Sequence, residues 1–288
     1  MASTIGRLGF FVWGVLLASV AGGHHAWAQN QGHGQAVPWQ LNFQPAFSPV
    51  MERVNDFHNF LLIVQLLIVL VVLGILGYVI FRFNAKANPV PSKTSHNTML
   101  EVVWTAVPII ILVIIAIPSL KLLYFADHAP DYEMTLKVTG KQWYWTYAYP
   151  DHGDFEFDSL PVEASELKPG QPRLLTVDNR VVLPVDTTIQ VLVSSDDVIH
   201  DWAVPSLGLK KDATPGRTNE TWVRITAEGT YYGMCSELCG VNHYYMPIQI
   251  EAVSKERFGE WVKEAQAEFA GTTPPQEHQV AKAIASAR

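Results

Sequence analysis

The densest set of soft metal ligands in this chain is Cys235-Ser-Glu-Leu-Cys239-Gly-Val-Asn-His243-Tyr-Tyr-Met246, with His200 lying upstream. Thiolate, imidazole and thioether together favour copper, because two soft sulfur types plus nitrogen suit both of its oxidation states. Three plainer readings compete. A disulfide between Cys235 and Cys239 would leave His200, His243 and Met246 without a purpose. Zinc takes two Cys and two His but has no use for Met246. A mononuclear blue copper site needs one Cys, so the second is surplus. Two bridging thiolates with His, His and Met as terminal ligands fit a pair of coppers best.

Elements must bring these residues together. On one helix, positions 235, 239 and 243 would share a face. Tyr231, Tyr232, Gly233, Gly240 and Pro247 favour instead a loop between two strands. His200 follows the strand-like run Thr188–Val193. Met134–Val138, Thr221–Ile225 and Ile248–Val253 are further β-branched or alternating runs, separated by Gly and Pro. Such spacing predicts a β-sandwich or small barrel. Phe258, Trp261, Val262, Ala265 and Phe269 recur at helical spacing after Ser254, a candidate N-cap, which predicts a C-terminal helix packed on the strands.

The first half of the chain is of another kind. Residues 1–28 read as a cleaved signal peptide: Arg7, the apolar run Leu8–Val20, then Ala26-Trp27-Ala28. An external segment, 29–56, follows. No residue between Asp56 and Arg82 is charged, nor any between Glu101 and Lys121. A bilayer core of roughly 30 Å needs about 20 helical residues, so spans are expected at about 58–81 and 102–121, in a hairpin over 57–126. Pro108 and Pro118 inside the second run are tolerated in membrane helices. Arg82, Lys86 and Lys93 in the linker place it in the cytoplasm and both flanks outside.

Of the 288 residues 49% are hydrophobic and only 16% charged, against roughly a quarter charged in soluble domains. The net charge of −7 argues against a nucleic-acid partner. Between Asp127 and Ala270 there are 23 acidic and 12 basic residues, so the expected external domain, 127–270, suits a cationic partner. The segment 271–288 reads as a loose tail.

The Cys235–Met246 motif, Asp197-Val-Ile-His200-Asp-Trp202, Gln142-Trp143-Tyr144-Trp145 and the two-span hairpin resemble subunit 2 of bacterial haem–copper cytochrome c oxidase. The resemblance runs from the signal peptide to about residue 270. It implies a cupredoxin-like Greek-key barrel on a transmembrane helical hairpin, in the bacterial inner membrane with the copper domain on the periplasmic side. It implies a dinuclear copper A centre: His200 and His243 as imidazole ligands, Cys235 and Cys239 as bridges, Met246 and the Glu237 carbonyl as weak ligands. The Glu237 carboxylate would reach a magnesium ion shared with the catalytic subunit. Trp143 would be the exposed point where electrons arrive from cytochrome c, which docks on acids best matched by Asp158, Asp178 and Asp197. Position 148 is Ala where some relatives carry an acid, so the docking patch differs in arrangement. Glu101, on its own a helix N-terminal charge, matches a proton-uptake carboxylate, with His96 beside it. The implied partners are the haem-bearing subunit 1, subunit 3, cytochrome c and the lipid bilayer.

The expected activity is that of cytochrome-c oxidase, with this chain accepting electrons and passing them to haem, where oxygen is reduced to water and protons are pumped. The chain has no Cys-x-x-Cys-His for haem attachment. A quinol oxidase subunit would lack the copper ligands, a copper chaperone would not need Trp143 or two spans, and a nitrous oxide reductase would be soluble and much longer.

Overall fold

The computed structural model describes residues 33–269. The signal peptide expected over 1–28 and the tail expected over 271–288 lie outside them. Among the described residues two long helices come first, α1 (Pro49–Arg82) and α2 (Thr98–Asp127). Both are long and apolar enough to cross a membrane, and none of their most apolar stretches is buried. At 1.5 Å per residue each runs well beyond a hydrocarbon core of roughly 30 Å. Pro108 and Pro118 sit inside an unbroken α2. Ser48 caps α1, its hydroxyl accepting from the Met51 N–H; Asn97 caps α2, accepting from Leu100. The first eight residues of α1 fall in the stretch expected as external segment, because Ser48-Pro49 is a helix-start signal placed before the apolar run.

Ten strands follow: β1 (Met134–Lys141), β2 (Tyr144–Tyr149), β3 (Phe155–Ser159), β4 (Val181–Pro184), β5 (Ile189–Ser195), β6 (His200–Val204), β7 (Leu209–Ala213), β8 (Asn219–Val223), β9 (Gly229–Cys235) and β10 (Pro247–Val253). They form two five-stranded sheets, ordered β3-β2-β1-β5-β8 and β4-β10-β9-β6-β7. Neighbours are antiparallel except β1 with β5 and β4 with β10. Side-chain alternation sets the layers. In β5, Ile189, Val191 and Val193 are buried while the residues between are half-exposed, the mark of a strand with one face on a core. Trp145, Tyr147, Tyr149 and Trp202 are fully buried between the sheets. Burial of each such side chain contributes roughly 1.5–3 kcal/mol.

A last helix, α3 (Lys255–Phe269), lies on this sandwich. Its Phe258, Val262 and Ala265 are buried, Trp261 meets Tyr149, Phe155 and Phe157 edge-on, and the Ser254 hydroxyl accepts from the Arg257 N–H at 3.2 Å. The domain is also fastened to the hairpin. Ser48 Oγ donates to the Leu207 carbonyl at 2.6 Å, Trp222 Nε1 to the Phe125 carbonyl at 2.9 Å, and Lys211 pairs with Asp127 at 2.6 Å.

Two local expectations need correction. Tyr231, Tyr232 and Gly233 belong to β9, so the loop begins only after Cys235. Gly233 is there for close approach, not for a turn: a side chain at this position would collide with the Ala203 carbonyl on β6. His200 does not close β5 but opens β6, in the other sheet.

Candidate metal centre

The soft ligands meet at one end of the sandwich. His200 opens β6, Cys235 ends β9 beside it (Trp202 pairs with Cys235 in register), and Cys239, His243 and Met246 come from the loop that turns β9 into β10. The Cys235 and Cys239 sulfurs are 3.9 Å apart, far beyond the roughly 2.05 Å of a disulfide and close enough for one ion to touch both, given metal–sulfur bonds of about 2.3 Å. Each sulfur has its own companions. Cys235 Sγ lies 4.0 Å from His200 Nδ1 and 3.3 Å from the Glu237 carbonyl oxygen. Cys239 Sγ lies 3.6 Å from His243 Nδ1 and 3.4 Å from Met246 Sδ. His200, Cys235 and Cys239 alone form a group whose ligand atoms all lie within 4.8 Å of one another, so they could hold a metal ion. His200, Met246, Cys239 and Cys235 are 0%, 1%, 3% and 6% exposed, which keeps water from the sulfurs; His243 is half-buried at the rim.

Burial and the shared site split the two thiols. Burial raises both, but the His200 bond and neighbouring backbone bring Cys235 down to about 7. Cys239, buried and beside the Cys235 charge, is pushed up to about 12. In His200 burial opposes protonation, yet bonds to Cys235 and Asp197 carry the imidazole pKa above its ordinary value. These groups compete for protons that a soft cation would displace.

The surrounding strands build a second layer. Trp143 Nε1 and Gln142 Nε2 both donate to the Cys239 carbonyl, at 3.1 and 2.7 Å. Trp143 is half-buried rather than exposed, because this bond draws it against the loop. Gly240, at φ +120°, lets the loop lie on the indole; a Cβ there would come within 2.9 Å of Trp143 Cζ2. Gly140 plays the same part for His200, with 2.8 Å between a notional Cβ and the ring. Trp145 Nε1 donates to the Met246 carbonyl at 3.4 Å. Gln142 and Gly240 lie in stretches the sequence singled out and Gly140 does not, but the contacts of all three come from tertiary proximity that spacing does not show.

The other expected residues are scattered. The Asp158 carboxylate accepts from Thr146 Oγ1 at 2.6 Å, and that of Asp178 from the Leu160 and Asn179 N–H groups at 2.8 and 2.6 Å. Asp197 accepts from the Gln142 N–H and faces His200 Nε2. The Glu237 carboxylate is exposed. Glu101 sits in the first turn of α2 with His96 exposed just before it, on the linker side of the hairpin. On the outer face of the first sheet, Glu156 is the cross-strand partner of Ala148, so it sets an acid beside that position. Lys141 stands among Tyr144, Asp158, Asp196 and Glu156; burial works against its charge, yet these neighbours carry its pKa upward. Asp201 is buried on β6, one oxygen 3.1 Å from Lys210 Nζ and the other without a partner. Burial, with Asp212 opposite, pushes its pKa up to about 6 against the opposing pull of Lys210.

Fold and site together define a membrane-anchored, cupredoxin-like domain with a buried cluster of side chains that could hold a metal ion. The family profile "Cytochrome C oxidase subunit II, periplasmic domain" matches residues 134–253, and "Cytochrome C oxidase subunit II, transmembrane domain" matches residues 36–122. The "Probable cytochrome c oxidase subunit 2" of Rickettsia felis is 57% identical over 228 residues, covering 79% of this chain and 72% of that protein. The cytochrome c oxidase subunit 2 of Oenothera berteroana is 49% identical over 233 residues, covering 79% of this chain and 90% of that one. A crystal structure of the periplasmic domain of subunit II of cytochrome oxidase of Bradyrhizobium japonicum shares 52% identity, covering 49% of this chain and 99% of that one, with a TM-score of 0.47. The chain belongs to the cytochrome c oxidase subunit 2 family.

Proposed function

We propose that this chain is the subunit of a respiratory cytochrome c oxidase that receives electrons from reduced cytochrome c outside the inner membrane. It passes them to haem in the catalytic subunit, where oxygen is reduced to water and protons are pumped. The observation that carries the reading is the pair of sulfurs 3.9 Å apart, each with its own histidine and its own weak ligand. Two coppers would be held by His200, Cys235, Cys239, His243, Met246 and the Glu237 carbonyl, and would supply one-electron redox chemistry at a shared site.

The chain's own residues prepare that chemistry. The two-sheet scaffold fixes His200 and Cys235 on adjacent strands, so ligand positions are set before any metal arrives. Burial of the sulfurs excludes water. Trp143, bonded to the Cys239 carbonyl, offers a π-system from the half-exposed surface to the ligand loop, the natural route for an arriving electron. The acidic outer face around Asp158, Glu156 and Asp196 attracts a cationic donor. Asp158 and Asp178 would add charge there, although their carboxylates also serve local backbone and Thr146.

The exposed Glu237 carboxylate is suited to a magnesium ion at the contact with subunit 1, with subunit 3 completing the complex. Positive residues in the linker support a cytoplasmic linker, which would put the metal domain in the periplasm and Glu101 and His96 at the proton-uptake side. A copper chaperone is the second reading, but nine-tenths-buried sulfurs suit retention rather than exchange.

The test is rapid mixing of reduced cytochrome c with the assembled oxidase, comparing wild type with Trp143→Phe and Trp143→Gln. Electron uptake should slow severely in both while copper content is retained. Wild-type rates in both variants would remove Trp143 from the route, and an oxidase that takes no electron from cytochrome c would contradict the reading itself.

A further inference from the structure

We propose that Asp197 is a positioning residue of the metal centre, whose carboxylate fixes the His200 imidazole and ties it to the Gln142–Trp143 segment. This rests on the copper reading above. It replaces the docking role expected for Asp197.

The geometry is specific. His200 is fully buried and presents Nδ1 to Cys235 Sγ, so a metal would take Nδ1 and the proton must sit on Nε2. Nε2 is 2.8 Å from Asp197 Oδ1. That oxygen also accepts from the Val198 N–H at 2.6 Å, while Oδ2 accepts from the Gln142 N–H at 2.6 Å. A carboxylate already gripped by two backbone groups is held still, and it holds the ring still in turn. Metal-bound histidines commonly have such an acceptor on the second nitrogen, which fixes tautomer and ring orientation. Gln142 and Trp143 then donate to the Cys239 carbonyl. One side chain thus links a ligand on β6 to the loop bearing Cys239.

The neighbouring acid supplies a contrast. Asp196 carries the same charge one residue away, but its half-exposed carboxylate faces Lys141 at 3.6 Å. A docking acid acts through charge, so both residues would behave alike. A positioning acid acts through contact, so only Asp197 would matter to the metal.

The experiment uses the full chain in detergent: wild type, Asp197→Asn, Asp197→Ala and Asp196→Asn. Copper is titrated against a competing chelator, EPR spectra are recorded, and electron uptake from cytochrome c is followed across salt concentrations. In Asp197→Asn the amide can satisfy His200 Nε2–H or the Gln142 N–H, but not both without turning a donor toward a donor. Both Asp197 variants should bind copper about 10–100-fold more weakly, with altered spectra. Asp196→Asn should keep wild-type affinity and spectrum. Asp197→Asn with wild-type affinity and spectrum, and a changed salt dependence equal to that of Asp196→Asn, would overturn the proposal. Proton NMR of the metal-free wild type guards against misfolded variants. It should show a slowly exchanging imidazole Nε2–H that disappears in His200→Gln, and its absence overturns the proposal whatever the variants do. If the wild type takes up no copper, the copper reading falls instead, and the imidazole signal still decides the Asp197–His200 contact.

Discussion

The indole Nε1 of Trp143 donates to the carbonyl oxygen of Cys239 at 3.1 Å, so the aromatic at the surface and a sulfur ligand share one peptide unit. Phe at position 143 keeps the ring and loses this bond. One neutral hydrogen bond contributes roughly 0.5–1.5 kcal/mol. Trp143→Phe is therefore expected to melt only slightly below wild type in calorimetry, with copper retained, while stopped-flow electron uptake falls far more than stability does.

Gly140 and Gly240 lie where the strands and the ligand loop leave no room for a Cβ. Gly140→Ala should press on the His200 ring and cost about 1–3 kcal/mol by overpacking. Gly240→Ala adds backbone strain at φ +120°, of order 1–3 kcal/mol. Chemical denaturation should show both losses. The copper spectrum should change more for Gly140→Ala, and electron uptake more for Gly240→Ala.

Stability should also respond to pH through Asp201. Its folded pKa, about 6, lies above the ordinary carboxylate value. The folded state therefore holds this proton more tightly, and the stabilisation is complete at low pH. It is lost as pH rises through about 6, by at most about 3 kcal/mol. Asp201→Asn removes the titration. Melting curves should show the variant gaining on wild type as pH rises from the ordinary carboxylate value of 3.8 to about 6, with no further gain above.

Association with a cationic donor should weaken with salt, because surface attraction decays over a Debye length of about 8 Å at physiological ionic strength. Glu156→Gln and Asp158→Asn are expected to lower the association rate and flatten its salt dependence, with copper content unchanged. Lys141→Gln should do the reverse, since it removes a cation standing among those acids. Equal salt dependence in all three variants and wild type would move the docking face elsewhere.

The candidate ligand set was legible in the sequence because Cys235, Cys239, His243 and Met246 lie in one short stretch, from the end of β9 through the loop after it, and their chemistry narrows the metal. The hairpin was legible because long uncharged runs have few other uses. The strand runs at 134, 188, 221 and 248 also stood out by alternation. Strands β2, β6 and β9 did not. Tyr144–Tyr149 is aromatic on both faces, all of β6 is buried, and β9 carries Gly233 inside it, so none shows a two-residue period. Asp197 looked like surface charge because its partners, Gln142 and the ring of His200, are set by how two sheets close. The place of Glu156 beside Ala148 needed the register of β2 on β3, which no local pattern encodes.

The most direct test of the central claim is copper stoichiometry with an EPR spectrum on the purified chain loaded with copper. The expected result is about two coppers per chain and one unpaired electron shared between them, because Cys235 and Cys239, with their sulfurs 3.9 Å apart, would hold both ions. Cys235→Ser and Cys239→Ser should each abolish that signal. A single copper with a mononuclear spectrum, or tightly held zinc with no signal, would contradict the dinuclear site and with it the route of electrons through this chain.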